Sequence, residues 1–236
     1  MTLALDGSAT AYSTNTSYIT ISLSTTKPND VIIVSAFVYN GTVSSISDTA
    51  NLSWKFRAHA VISNTFDLEE WYAISPNALS SDSIQVNYSG GGGSNVGIAY
   101  GISGANTAAP FDSNSTLPAT ATSTVSSSVA KAAISTSNAN DFIIGTVATQ
   151  PSGNITITAG SGFTEIAEAS PLDNYIFSEY QIVTATQSNF SVSVNFSPST
   201  TGWEFIADAI VAAPPPTSSP YSKYSRPRSK SYMHLM

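Results

Sequence analysis

Glu70 and Glu179 stand at matching places in two similar words, Phe66-Asp-Leu-Glu-Glu-Trp-Tyr-Ala-Ile74 and Tyr175-Ile-Phe-Ser-Glu-Tyr-Gln-Ile-Val183, 109 residues apart. In an extended strand Glu70 shares a face with Phe66, Leu68, Tyr72 and Ile74, and Glu179 shares one with Tyr175, Phe177 and Val183. A carboxylate in phase with large apolar neighbours loses water, and its pKa rises, as a general acid requires. Both are buried-carboxylate candidates. Other chemistry is scarce. Cysteine is absent, which excludes disulfides and thiolate chemistry. The two histidines, His59 and His234, lack the neighbours of a Ser-His-Asp triad or a transition-metal site. Asp48, Asn51, Asp112, Asn114, Asp173 and Asn174 fall in turns. Calcium is compatible with such residues, but no spacing fits a calcium loop, turn formation explains them, and no cofactor is expected. Gly90–Gly93 is followed by neither Lys-Ser/Thr nor a helix, so it reads as a hairpin tip. Trp71 and Tyr72 are sugar-stacking candidates. Trp71 lies with Asp67, Glu69 and Ala73 on the face opposite Glu70, where an indole stacks on a sugar ring or fills the second layer of a sandwich.

Glu70-Trp71-Tyr72-Ala73-Ile74 resembles the Glu-Tyr-Tyr-Ile strand of the small jelly-roll xylanases, and Tyr180-Gln181-Ile182-Val183 is similar to their Tyr-Gln-Ile-Val strand. Those enzymes are of similar length, are rich in Ser, Thr and Tyr, and use two glutamates on neighbouring strands. The resemblance implies that Glu70 is a nucleophile. Their acid/base glutamate lies three or four residues past the second word, where this chain has Thr186 and Gln187. A retaining mechanism needs two carboxyls about 5 Å apart, and the second is missing. Duplication accounts for both words without catalysis, so a non-enzyme is expected and a hydrolase is the last of the readings.

The duplication extends beyond the two words. Asn29-Asp30 before Val-Ile-Ile matches Asn140-Asp141 before Phe-Ile-Ile, and Ser83–Ser89 matches Ser191–Ser197. Offsets of 111, 109 and 108 describe a repeated unit of about a hundred residues. Within each unit period-2 alternation dominates, as in Ile19, Ile21 and Leu23, while Val31–Val38 is apolar on both faces and reads as a central strand. No stretch has a helical period. Each half holds about seven short strands separated by turn residues, which predicts an all-β fold of antiparallel sandwich type, jelly-roll or tandem Ig-like. The organisation read from this is an N-terminal arm or edge strand over 1–16, a first repeat over 17–103 and a connection over 104–128. A second repeat follows over 129–213, then a Pro-rich linker and basic tail over 214–236. Whether the halves interleave or stand in tandem is open, though the long connection favours a single body.

Charged residues are 10 % of the chain, whereas Ser and Thr supply 67 of 236 residues. Fifteen acids against Lys27, Lys55, Arg57 and Lys131 leave the body eleven charges negative, and the other four basic residues lie in 223–230. An acidic body argues against nucleic acid as its partner. No apolar run reaches the length of a membrane span, and the first residues lack the charged and apolar regions of a leader. Such a leader is expected to have been removed if the protein is exported. Asn15, Asn40, Asn51, Asn87, Asn114, Asn154, Asn189 and Asn195 all sit in Asn-X-Ser/Thr, half of the sixteen asparagines, and are glycosylation candidates. Ser/Thr-rich strands and Asn-Asp turns resemble, in style, the sandwich modules of archaeal and bacterial cell-surface proteins. That resemblance implies a structural or adhesive, extracellular subunit whose partners are copies of itself, with glycans as a further partner, assembling through sheet edges or terminal arms. The alternatives are a carbohydrate-binding module or a virion structural protein.

Overall fold

A computed structural model describes residues 2–14, 16–63, 65–90, 93–170 and 174–215. It contains sixteen strands and, among the described residues, no helix. The first eight are β1 (Ala4–Thr14), β2 (Tyr18–Leu23), β3 (Asp30–Tyr39), β4 (Gly41–Ser47), β5 (Lys55–Ile62), β6 (Phe66–Ser75), β7 (Asp82–Gly90) and β8 (Ser94–Ser103). The second eight are β9 (Ala119–Ser123), β10 (Ser127–Ile134), β11 (Asp141–Thr149), β12 (Thr156–Thr158), β13 (Thr164–Ala169), β14 (Tyr175–Val183), β15 (Phe190–Thr200) and β16 (Trp203–Val211).

Each set of eight makes the same sandwich. In the first, a five-stranded sheet ordered β1-β8-β3-β6-β5 faces a three-stranded sheet ordered β2-β7-β4. In the second, β9-β16-β11-β14-β13 faces β10-β15-β12, the same order with every strand number raised by eight. The antiparallel strands wind between sheets as in a jelly roll, with the fifth strand on the larger sheet. The repeats are therefore tandem, not interleaved.

The two five-stranded sheets pack face to face, β1 and β8 against β13, β8 against β14, β6 and β5 against β16, and β5 against β9. Four layers result, with three apolar cores. Ile32, Val34, Ala36 and Val38 of β3 enter the core of the first repeat with Ile19, Ile21, Leu23, Ile84 and Val86. Ile143 and Val147 of β11 enter that of the second with Val192, Val194 and Phe205. The opposite faces of the same strands, Val31, Ile33 and Phe37 with Phe142, Ile144 and Ala148, build the layer between repeats. This double burial is why these strands read as unbroken apolar runs. At Gly145 a Cβ would press on Val192, Phe205 and Glu179, so the residue keeps β11 close to its neighbours.

Of the arm and the edge strand read over 1–16 the structure forms the edge strand, and the boundary of the following connection differs from the sequence reading. Residues 4–14 form β1, paired with β8 along its length, with a bulge at Gly7 (φ 86°), where a Cβ would collide with the Ser24 carbonyl. The offered terminal arm is spent in the chain's own sheet. The stretch read as a connection over 104–128 also holds structure. Ala105 and Phe111 bridge Ala212 and Ile210, and β9 follows, so each repeat has eight strands. Phe111 takes the place against β16 that Leu5 takes against β8, where it pairs with Ile102. Ala119-Thr-Ala-Thr-Ser123 escapes notice because an edge strand of small residues needs no large apolar face.

The shared layer predicts that the repeats unfold together. Ile144→Ala, which opens a cavity there, should cost about 2–5 kcal/mol and lower a single urea transition. Two separated transitions, only one of them moved, would show that the repeats are independent.

Candidate functional site

The chain's polar chemistry is concentrated where the sheets meet. β6 and β14 place their words beside β3 and β11, with Ser35 opposite Glu70 and Thr146 opposite Ser178. Taking Ser35 and Thr146 as equivalents, the register equates Glu70 with Ser178 and Trp71 with Glu179, at an offset of 108. The match at 109 is thus one residue out of step, and in a strand one residue exchanges the faces. Glu70 points into the layer between repeats and Glu179 into the core of the second repeat, so the two are not a pair.

Both carboxyls are fully buried. Around Glu70 lie Asp208 of β16, Arg57 of β5 and Tyr100 of β8. Arg57 forks onto Asp208, Nε donating to Oδ2 at 2.6 Å and Nη2 to Oδ1 at 3.0 Å, while its guanidinium lies 4.0 Å from the centre of the Phe111 ring. The backbone N–H of Ala209 also donates to Asp208, at 2.8 Å. Among the described residues neither oxygen of Glu70 has an N–H or hydroxyl donor, and its neighbour is the Asp208 carboxyl. Desolvation first, then the charge of Asp208, holds Glu70 well above the usual carboxylate range. Burial also raises Asp208, but Arg57 opposes it, so Asp208 carries the charge and Glu70 the proton. Ser35 and Thr146 meet hydroxyl to hydroxyl at 3.5 Å, and Thr146 meets Ser178 at 2.9 Å. Glu70, Asp208, Tyr100, Ser35, Thr146 and Ser178 are buried, and of this cluster only the Arg57 side chain is partly exposed. The cluster ties two sheets together.

Glu179 accepts the Gly160 N–H at 2.7 Å through Oε2, and the Ser193 backbone also bears on this carboxyl. Burial pushes it up to about 7. The two glutamates of the xylanase-like words therefore lie on opposite faces of different sheets, both closed to substrate.

The remaining candidates take separate positions. Trp71 is half-buried against the first-repeat core, its Nε1 donating to Glu69 Oε2 at 2.7 Å, and its ring meets Phe56 edge-on at 5.4 Å. Phe56, 49 % exposed, also meets His59 edge-on. Tyr72 faces the other way, into the inter-repeat layer, edge-on to Phe111. Trp71 thus belongs to a surface aromatic cluster with Phe56 and His59, and Tyr72 does not. Asp48 accepts Leu52 N–H and Trp54 Nε1–H, Asp112 accepts N–H groups of Asn114, Ser137 and Asn138, and Asn114 accepts from Thr116. These oxygens close turns. Asn51 is an exposed turn residue with φ 58°, and Asn174 donates to the Ser94 carbonyl. Among the described residues no group of three metal-ligating side chains forms. Asn40, Asn51, Asn154, Asn189 and Asn195 are exposed, and Asn87 and Asn114 are half-buried. Asn15, Asp173 and His234 lie outside the described residues.

Sequence reasoning missed a duplicated pair of acids. Asp30 and Asp141, both completely buried at the start of β3 and β11, face Asp6 and Asp112 respectively. The repeated Asn-Asp words were the signal, but they read as turn formers. The surface differs from its expected character for the same reason. Eleven of the fifteen acids are buried, and the only described ones that are not are Asp48, Glu165 and Glu168. The body is acidic inside and nearly uncharged outside.

The chain matches no family model, no curated protein and no solved structure. The described residues bring together no catalytic constellation, and no helix among them is long and apolar enough to cross a membrane.

If Arg57 is the cation that keeps the interface closed, Arg57→Ala should cost about 3–5 kcal/mol, the cost of stranding a buried carboxylate. Glu70→Gln, isosteric with the protonated acid, should change stability by less than about 1 kcal/mol. Urea unfolding at pH 6 of the two variants checks both. Equal losses would mean that Glu70 is charged.

Proposed function

We propose that this protein is a non-catalytic structural subunit of a microbial cell exterior, assembling with copies of itself into a layer or filament through the open edge of β2. The observation that carries this reading is a contrast among the eight sheet edges. An edge strand exposes unpaired N–H and C=O groups, and chains that stay single guard it with charge, bulges or brevity. β5 carries Lys55, Arg57 and a bulge, β13 carries Glu165, Glu168 and a bulge, and β10 carries Lys131 and a bulge. β1 and β4 are bulged, while β9 and β12 have five and three residues. β2 has none of these devices. Tyr18–Leu23 holds no charge and no proline, and pairs with β7 in unbroken register. Its outward residues, Tyr18, Thr20 and Ser22, continue into a charge-free face with Gln85, Asn87 and Ser89 of β7. A second β2, antiparallel to the first, extends that sheet without burying a charge. The exposed sequons support an exterior location.

Light scattering and intact mass on protein from its native source test the proposal. Oligomers with hexose-sized mass increments are expected, and Thr20→Pro, which removes an edge donor, should return the chain to a monomer with its fold intact. A parent chain that is monomeric at every concentration would end the assembly reading.

A second reading rests on Phe56. An exposed ring edge-on to both Trp71 and His59 is a surface on which a sugar could stack. In that case Phe56→Ala should abolish binding on a glycan array. An array with no signal for the parent removes this reading.

A further inference from the structure

We infer that this protein is built for an acidic medium, because its fold closes over carboxyl groups that have no cation to pair with and so must be protonated to stay buried. The geometry alone makes the argument. Eleven carboxyls are buried, and of the lysines and arginines among the described residues only Arg57 is not exposed. It serves Asp208.

The clearest units are the two acid pairs. Asp6 accepts Thr26 N–H at 2.9 Å, Thr26 Oγ1–H at 2.8 Å and Lys27 N–H at 2.7 Å. Asp112 accepts the N–H groups of Asn114, Ser137 and Asn138 at 2.7–3.0 Å, and Asn138 Nδ2 at 2.7 Å. Among the described residues their partners, Asp30 and Asp141, have no backbone N–H donor at either oxygen, and the hydroxyls of Thr25 and Thr136 are the side-chain donors beside them. The carboxyl surrounded by donors is the ionised member, and the one with a single hydroxyl beside it carries the proton and turns it towards its neighbour. Thr25 and Thr136 flank the two pairs alike. The Thr25 N–H donates to the Leu79 carbonyl while Thr25 Oγ1 accepts the Leu79 N–H, and Thr136 does the same with Gln187, an equivalent position. One proton is thus stored in each repeat at the point where its central strand begins.

Other buried acids have the same character. Glu204 of β16 has Asp67 as its charged neighbour. Asp67 itself lies 3.6 Å from His59, and Glu69 sees Asp67 and His59. Glu70 sees Asp208 and Arg57, and Glu179 sees no charge. Around Asp30 the charged groups are Asp6 and the exposed Lys27, and around Asp141 there is Asp112 alone.

The shifts run in the direction this packing demands. Burial, then the neighbouring acid, pushes Asp30 and Asp141 up to about 7. Burial pushes Glu204 up to about 8. Burial opposes Asp6 and Asp112 too, but their donors outweigh it and hold both below the usual range. A carboxyl raised by folding contributes stability that is complete below its unfolded pKa and is lost as pH rises through the folded one. The raised groups therefore favour the fold near pH 4 and withdraw that support between about pH 4 and 8. Only Asp6 and Asp112, by the same count, lose stability in stronger acid.

Urea unfolding of the full chain at pH 5 and pH 8 tests the inference. The folding equilibrium constant is expected to be at least about tenfold larger at pH 5. The double variant Asp30→Asn/Asp141→Asn, whose amides donate permanently to Asp6 and Asp112, should bring the pH 8 value towards that at pH 5. Stability that rises from pH 5 to pH 8, or a double variant that leaves the slope unchanged, would overturn it. Should that variant not fold, carboxyl carbon-13 shifts of the parent decide the matter. Asp30 and Asp141 titrating near 7 support the inference, and both titrating below 5 reject it.

Discussion

The contact on which everything else rests is the apolar packing of one five-stranded sheet on the other. A single jelly roll needs one apolar face on each sheet. Here the large sheet of each repeat needs two, because its second face meets the other repeat. That requirement explains the unbroken apolar runs of β3, β8, β11 and β16. It also explains the small residues where the layers come close, and the satisfaction of Ser35, Thr146 and Ser178 by one another. Apolar side chains fill this layer, so burial there favours polar groups that are neutral, paired or bonded to a neighbour.

The acids follow from the same constraint. Carboxylates are ordinarily kept outside because the charged form loses too much hydration on burial. This chain does the reverse, placing most of its acids inside and covering its surface with hydroxyls and amides. Where a carboxyl is given donors, as Asp6 and Asp112 are, it stays charged. A carboxyl given only another carboxyl, as Asp30 and Asp141 are, must hold a proton. The formal charge of −7 therefore describes the unfolded chain far better than the surface of the folded one.

A surface with little charge has a second consequence. Charge is what usually keeps sheet edges apart, and here bulges and short strands do most of that work, leaving β2 as the exception. The outer three-stranded sheets expose mainly Ser, Thr, Asn and Gln, with Lys131 of β10 as a charged exception. Solvent-facing asparagines in sequons occupy turns and outer positions of the same sheets.

Much of this was legible in the residues themselves. Period-2 alternation, turn words and the apolar run Val31–Val38 determine an all-β chain of short antiparallel strands, and the repeated words determine a duplication. The burial of Glu70 and Glu179 follows from their phase with large apolar neighbours. What the linear order could not decide is which face each strand turns to which neighbour. A one-residue drift in offset sends Glu70 and Glu179 to opposite sides, and nothing local distinguishes an offset of 108 from 109. Edge strands such as β9 leave no pattern, because they are packed on one side by backbone more than by side chains. Asp30 and Asp141 look like ordinary turn residues until the sheets bring Asp6 and Asp112 against them. Local periodicity is written in the chain, whereas the partner across a layer, and with it the protonation of a buried acid, exists only once the layers have closed.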